Sequence, residues 1–253
     1  MRSNIGTAAM SSTPASAGRV FRSRLWPTLA TIAGLAVLLA LGTWQMQRLA
    51  WKQDLIAHAR AQIAAPASPL PEGDLAELDF RRVTVTGHYL RDDAFAFGFS
   101  ADDGRSGSQL VTPFQLDDSR VVLVDRGWMP SDLLPPHVPG GLQPQGSIAL
   151  EGVARWRGSW RRIWLTPANA PELRRWYGWD FDEMAAATGL TLEPLVIVLE
   201  RSEGDAGLPH ARPVEVDFPN DHLSYAITWY SLAGILAVIY VLFSTTRSAG
   251  SPP

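Results

Sequence analysis

No cysteine occurs anywhere in the 253 residues. That absence removes thiolate metal sites, cysteine nucleophiles and thiol–disulfide exchange together. It leaves the five histidines, the five methionines and the carboxylates to carry any copper or iron chemistry. Acidic residues are missing before Asp54 and after Asp221. Charge of either sign is missing over two long stretches, Leu25 to Trp44 and Leu223 to Thr246. There is no nucleophile elbow, phosphate loop or metalloprotease motif, and no internal repeat.

The two uncharged stretches set the architecture. About twenty residues at roughly 1.5 Å per residue cross a hydrocarbon layer about 30 Å thick. In the first stretch Pro27 stands near the helix start, where its missing N–H is tolerated, and Trp26 and Trp44 bracket the run as interfacial anchors. A cleaved signal peptide is the competing reading, with Ala40-Leu41-Gly42 as a loose small-x-small site. The run exceeds the 7–15 residues usual for a signal core, so an uncleaved span is expected.

Orientation follows from the basic residues. Arg2, Arg19, Arg22 and Arg24 precede the first stretch and Arg247 follows the second, so the positive-inside bias puts both termini in the cytoplasm. Of the 22 basic residues these five lie outside the two stretches, which leaves 17 between them against all 25 acids, a net charge near −8. An acidic exterior segment argues against nucleic acid as a partner. The expected division is a basic cytoplasmic head over 1–24, a transmembrane helix over 25–44, an exterior domain over 45–222, a second transmembrane helix over 223–243 and a cytoplasmic tail over 244–253. The short acid-free head favours a bacterial inner membrane, although a mitochondrial transit peptide has the same composition.

At about 175 residues the exterior segment can bury one sizeable core without disulfides. Period-two patterns dominate it. Arg82 to Thr86 alternates and is followed by Gly87, a sign of a bulge or a close backbone approach. Ala94 to Phe99 sets an aromatic at every second position. Gln109 to Leu116 reads as a strand confined by Pro113 to an edge or bulge. Arg120 to Asp125, Ile148 to Ala154 and Leu195 to Leu199 are further strands. Helix is expected in two places. The first span continues as Gln45 to Ala64 before the Pro66-Pro69-Pro71 linker, and Asp180 and Glu183 form a capping-box-like start that Gly189 stops. Leu133 to Gly146 and Ser202 to Pro213 read as loops. The fold class is therefore α+β: two transmembrane helices bracketing a mostly antiparallel, β-rich exterior domain, an open barrel or a sandwich.

Several motifs resemble one family in wording and order. They are Gly42-Thr43-Trp44-Gln45 with Arg48 and Trp51-Lys52; Val124-Asp125-Arg126-Gly127-Trp128-Met129-Pro130; Thr166-Pro167-Ala168-Asn169 followed by Trp176-Tyr177 and Trp179-Asp180; and Asn220-Asp221-His222 running into Tyr225-Ala226-Ile227-Thr228-Trp229-Tyr230. Together they resemble the surfeit-locus assembly factors of cytochrome c oxidase, over about Leu25 to Phe243. Met129 departs from the pattern, which favours a β-branched residue there. The resemblance implies a non-enzymatic role in building the haem-copper oxidase, with haem a handed to the catalytic subunit close to haem a synthase, in a lipid bilayer.

On that expectation His222 is the candidate iron ligand. Helical spacing sets His222, Tyr225 or Ala226, and Trp229 on one face, and an antiparallel first span brings Trp44, Gln45 and Arg48 to the same level. The aromatics can pack on a porphyrin, Arg48 can pair with a propionate, and Asn220 or Asp221 can hold the imidazole tautomer. The plainer reading stays open: Tyr225, Trp229 and Tyr230 as an aromatic belt, Asp221 or Asn220 as a helix cap, and Arg48 and Lys52 snorkelling beside the membrane. Two other functions compete, a haem-free membrane scaffold and an exterior-facing hydrolase. Of the remaining residues, His58, His88, His137 and His210 lack any two-histidine spacing, and Asp92-Asp93, Asp102-Asp103 and Asp117-Asp118 read as solvated turns. Arg126 is expected to pair with Asp125 or another acid. Arg155 to Arg162 reads as a hairpin with a cationic surface, or as a contact for anionic lipid or a partner subunit.

Overall fold

Long uncharged runs fold as helices because every backbone polar group is satisfied within the element, whereas period-two stretches need neighbours to pair with. The computed structural model describes residues 19–21, 25–73, 75–139, 144–156, 158, 164–203, 207–216 and 220–247, and it sorts the two kinds of segment into separate units. One unit comprises Met1–Gln53 with Pro219–Pro253, the other Asp54–Phe218.

The first unit is built on two helices. Helix α1, Leu25–Ala64, runs unbroken for 40 residues, its last turns belonging to the second unit; α3, His222–Ser244, spans 23. Both are long and apolar enough to cross a membrane. They pack antiparallel, with Thr28 Oγ1 2.6 Å from Tyr240 Oη, Thr43 Oγ1 3.3 Å from Tyr230 Oη and Gln45 Oε1 2.7 Å from His222 Nδ1. From Thr28 to Gln45 the pairing covers about 26 Å of helix. Small residues form the seam. Ala226 and Ala233 are buried, and a side chain at Gly42 would meet the Tyr230 ring at 2.7 Å. Leu29, Ile32, Val37, Ile235, Val238 and Leu242 face outward. Beyond the helices β1, Arg19–Phe21, pairs antiparallel with β10, Thr245–Arg247, so both chain ends leave the pair at the same end. The rest of the basic head lies outside the described residues.

The second unit is a closed barrel. Its strands are β2 (Ser68–Pro69), β3 (Arg82–Tyr89), β4 (Phe95–Asp102), β5 (Arg105–Leu116), β6 (Val121–Pro130), β7 (Ile148–Trp156), β8 (Arg175–Trp176) and β9 (Leu192–Leu199). The order β3-β7-β9-β6-β5 returns to β3, closing five strands. Within the ring only β6–β9 is parallel. Short β2 and the pair β4–β8 extend the sheet at either side. The expected open barrel or sandwich is thus corrected to a closed barrel. The closing seam joins Gly87 to Leu116, His88 to Gln115 and Tyr89 to Phe114, where the edge of β3 opposite β7 passes from β2 to β5.

That exchange of partners requires Gly87. A Cβ there would lie 2.0 Å from the carbonyl oxygen of Gln115. Pro113 is reconciled with a central strand by the same exchange. On this side β5 pairs with β4 up to Val111 and with β3 from Phe114. The Pro113 carbonyl accepts from the Leu90 N–H, and the Leu90 carbonyl, which an N–H at position 113 would face, accepts from the Asp93 N–H instead. The expectation of an edge or bulge is corrected accordingly.

Val83, Val85, Phe114, Val122, Val124, Leu195 and Ile197 fill one core. A second lies under α2, Phe181–Thr188, whose Phe181 and Met184 pack on Val111, Leu123, Trp176 and Val196. Helix α2 begins and ends as its sequence indicates: Asp180 accepts from the Glu183 N–H, and Gly189 closes it in the left-handed region. Glu183 does not complete a capping box; its carboxylate accepts from Asn169, which also accepts from the N–H groups of Tyr177 and Gly178.

Substituting Gly87→Ala is expected to destabilise the full chain by on the order of 3 kcal/mol, because the obstructing atom is backbone. Chemical denaturation in detergent micelles, followed by tryptophan fluorescence, measures it; a change under about 0.5 kcal/mol is incompatible with the seam described.

Candidate functional site

His222 is the first residue of α3, and its ring reaches α1. The carbonyl oxygen of Gln45 can only accept, so Nδ1 donates to it, and in the neutral ring Nε2 is the nitrogen that keeps its lone pair. The residue expected to hold the tautomer from beside it is not the one that does. Asp221 stands at the helix start without a side-chain capping bond, its backbone carbonyl accepting from Ser224 Oγ and Tyr225 N. Asn220 Oδ1 is buried with no hydrogen-bond partner among the described residues.

The other four sequence-nominated residues make no hydrogen bond to the imidazole among the described residues. Trp44, adjacent to Gln45, is 51% exposed and Tyr225 is 55% exposed, while Trp229 is half-buried. Tyr225 therefore sits on the outer flank and Ala226 takes the place in the seam. The Arg48 guanidinium lies 4.4 Å from the centre of the Trp51 ring and has no carboxylate partner among the described residues. One lone-pair nitrogen, two exposed aromatic faces and one cation not neutralised by an acid thus lie within about a turn of one level on the helix pair.

The barrel unit carries three polar clusters, each within that unit. Arg126 is buried and binds Glu203, Nε to Oε2 at 2.6 Å, while the Tyr89 hydroxyl donates to Glu203 Oε1 at 2.9 Å and the guanidinium lies 4.6 Å from the Tyr89 ring centre. Burial first, then the Glu203 charge, pushes the Tyr89 hydroxyl upward. Arg82 donates to the Ile63 carbonyl, near the last turn of α1, and pairs with Glu200 at 2.6 Å and Glu151 at 3.3 Å beside a cavity of about 600 Å³. Asp102 accepts from Arg212 and lies 2.7 Å from His210 Nδ1, and the His210 bond leads in holding its carboxyl below the usual range. Asp102 is therefore more than a solvated turn. His58, His88 and His137 are exposed, and no three His, Asp or Glu side chains are grouped to hold a metal ion among the described residues. Arg155 binds Asp79 at 3.0 Å and stacks over Phe80; most of the basic segment after it lies outside the described residues.

Two candidate membrane anchors flanking a five-stranded barrel define the class of protein. The SURF1 family model matches residues 32–234, and the chain belongs to the SURF1 family. It is 35% identical over 218 residues to a SURF1-like protein of Monosiga brevicollis, covering 81% of this chain and 82% of that one. To Surfeit locus protein 1 of Rattus norvegicus it is 32% identical over 234 residues, 85% of this chain and 74% of the relative. To that of Homo sapiens it is 31% identical over 218 residues, 79% and 71% respectively.

Asp125, next to Arg126, does not pair with it; its Oδ1 accepts from the Gly127 N–H at 3.0 Å. Burial raises its carboxyl from 3.8 to about 6. Between those values the folded chain holds a proton that the unfolded chain has released, so stability falls as pH rises from 4 to 6 and levels off above. The fall is at most about 3 kcal/mol. Asp125→Asn keeps the acceptor and removes this slope. Urea unfolding of both full-length chains at pH 4 to 8 should show the Asn variant gaining on wild type up to pH 6; parallel curves would contradict the burial of an unpaired carboxylate.

Proposed function

We propose that this chain is a non-enzymatic assembly factor for cytochrome c oxidase. It holds haem a at the outer face of an inner membrane and passes it to the catalytic subunit, working beside haem a synthase. Family membership supports the assembly role, and two apolar helices support a membrane setting. Arg24 and its basic neighbours before α1 support cytoplasmic termini, and with them an outward-facing start of α3.

The observation that carries the haem reading is the Gln45–His222 hydrogen bond, which leaves Nε2 as a free donor beside exposed aromatics. The residues fit the group. A haem supplies an iron that takes one imidazole nitrogen, flat faces that suit Trp44, Tyr225 and Trp229, and propionates that suit Arg48. With His222 the one histidine in the sequence of the helix-pair unit, and with half-exposed walls, the site suits a cofactor held briefly and given up. Arg48 supplies charge, and the aromatics shed water from the ring faces.

Visible spectra of the full chain purified from cells that make haem a provide the test. Wild type is expected to carry haem and His222→Ala to lose most of it, with the two chains melting alike. If neither is coloured while haem a synthase is active, haem handling fails and a haem-free scaffold for oxidase intermediates is left as the function.

A further inference from the structure

His222 has two ring nitrogens, and an imidazole at a helix start facing water is free to present either one. In this chain the choice is made by the opposite helix. Gln45 belongs to α1, His222 to α3, and the 2.7 Å bond between them joins two elements far apart in the sequence. The near neighbours do not do this work: among the described residues the Asp221 side chain makes no capping bond and Asn220 Oδ1 has no partner. We propose that Gln45 is the positioning residue of the site. Its side-chain carbonyl fixes His222 as the Nδ1–H tautomer, aims Nε2 outward, and makes the ligand available only while α1 and α3 are paired. This rests on the haem reading given above and adds a regulation to it, since any separation of the helices at this end releases the ring.

The packing around the bond agrees with such a coupling. Three residues before Gln45, Gly42 lies against the Tyr230 ring so closely that a Cβ would stand 2.7 Å from it, and Thr43 shares a hydrogen bond with the Tyr230 hydroxyl. The approach of the two helices at Gly42 sets the reach of Gln45 to His222. The bond also polarises the ring. An acceptor on Nδ1–H makes Nε2 a better donor, the arrangement by which ligating histidines are commonly oriented and tuned.

Two variants separate positioning from packing. Gln45→Leu keeps the bulk and loses the acceptor; Gln45→Glu restores an acceptor at the same reach. In the haem-free full chain in lipid nanodiscs, nitrogen NMR of labelled histidine, with His222→Ala to assign the signal, reads the tautomer directly. Wild type and Gln45→Glu are expected to show a protonated Nδ1 and a bare Nε2, and Gln45→Leu a mixture. Titration with haem a should then show Gln45→Leu weaker than wild type by roughly 10–100-fold, with Gln45→Glu within a few-fold of it. If His222→Ala binds haem a as tightly as wild type, the haem reading itself falls. If His222→Ala fails to bind while Gln45→Leu matches wild type in both tautomer and affinity, the haem reading survives and the role of Gln45 is overturned. Equal losses in Gln45→Leu and Gln45→Glu also overturn it, because the residue then acts by packing alone.

Discussion

The closing seam between β3 and β5 is the constraint on which the barrel depends. An open five-stranded sheet would leave β3 and β5 with unpaired N–H and C=O groups along two edges, a liability in any exposed domain. Closure removes those edges in the ring and encloses the core of Val83, Phe114, Val124 and Ile197. It demands that one strand change partner midway. Gly87 allows this by bringing two backbones closer than any side chain permits, and Pro113 stands where its own strand passes from β4 to β3, opposite a Leu90 carbonyl that Asp93 satisfies. The two residues least suited to a regular strand are thus the two that let the sheet close.

A second requirement follows from putting charge inside such a barrel. Arg126 is fully desolvated, and a buried guanidinium without an acid would cost several kcal/mol. Glu203 and Tyr89 satisfy it through one carboxylate with both oxygens engaged, and the tyrosine ring lies against the guanidinium plane. A hydrophobic replacement of the whole cluster would be about as stable. What the cluster adds is location, since Glu203 lies past the last barrel strand and the ion pair binds that outgoing segment to β6. Arg82 does the same at the other entry, holding the end of α1 and the Glu200 carboxylate, which in turn accepts from the Val214 N–H.

Much of this was legible from residue order. Every stretch read as a strand is one, because alternation with β-branched and aromatic residues reports a half-buried pleated surface. Asp180 and Gly189 mark the ends of α2 because capping is a local property. What stayed hidden is long-range. Nothing near Gly87 names Gln115 as its neighbour, nothing near Arg126 names Glu203, and nothing near Asp102 names His210. The candidate site divides along the same line. His222 stands out locally as an imidazole ahead of an uncharged aromatic run, but its tautomer partner lies on the opposite helix. Local reasoning looked to Asn220 and Asp221, which are adjacent in sequence and take no part in it.

That opposite helix also bears on the exchange that the proposed haem role would require. In a bilayer, which both helices are long and apolar enough to cross, no hydrophobic force would drive their association, so pairing would rest on close packing at small residues and on interhelical hydrogen bonds averaging about 0.6 kcal/mol each. Gly34, Gly42, Ala226 and Ala233 supply the first, and the Thr28–Tyr240 and Thr43–Tyr230 contacts supply bonds along the apolar seam. The Gln45–His222 bond differs from these in position. It lies at the first residue of α3, at the end of the seam, where water competes more readily than beside the Thr28–Tyr240 bond further along it. A bond that contributed strongly to helix association would bury the imidazole and hold it there. One near the end of the seam orients the ring at little energetic commitment, and orientation with ready release is what the proposed transfer would require.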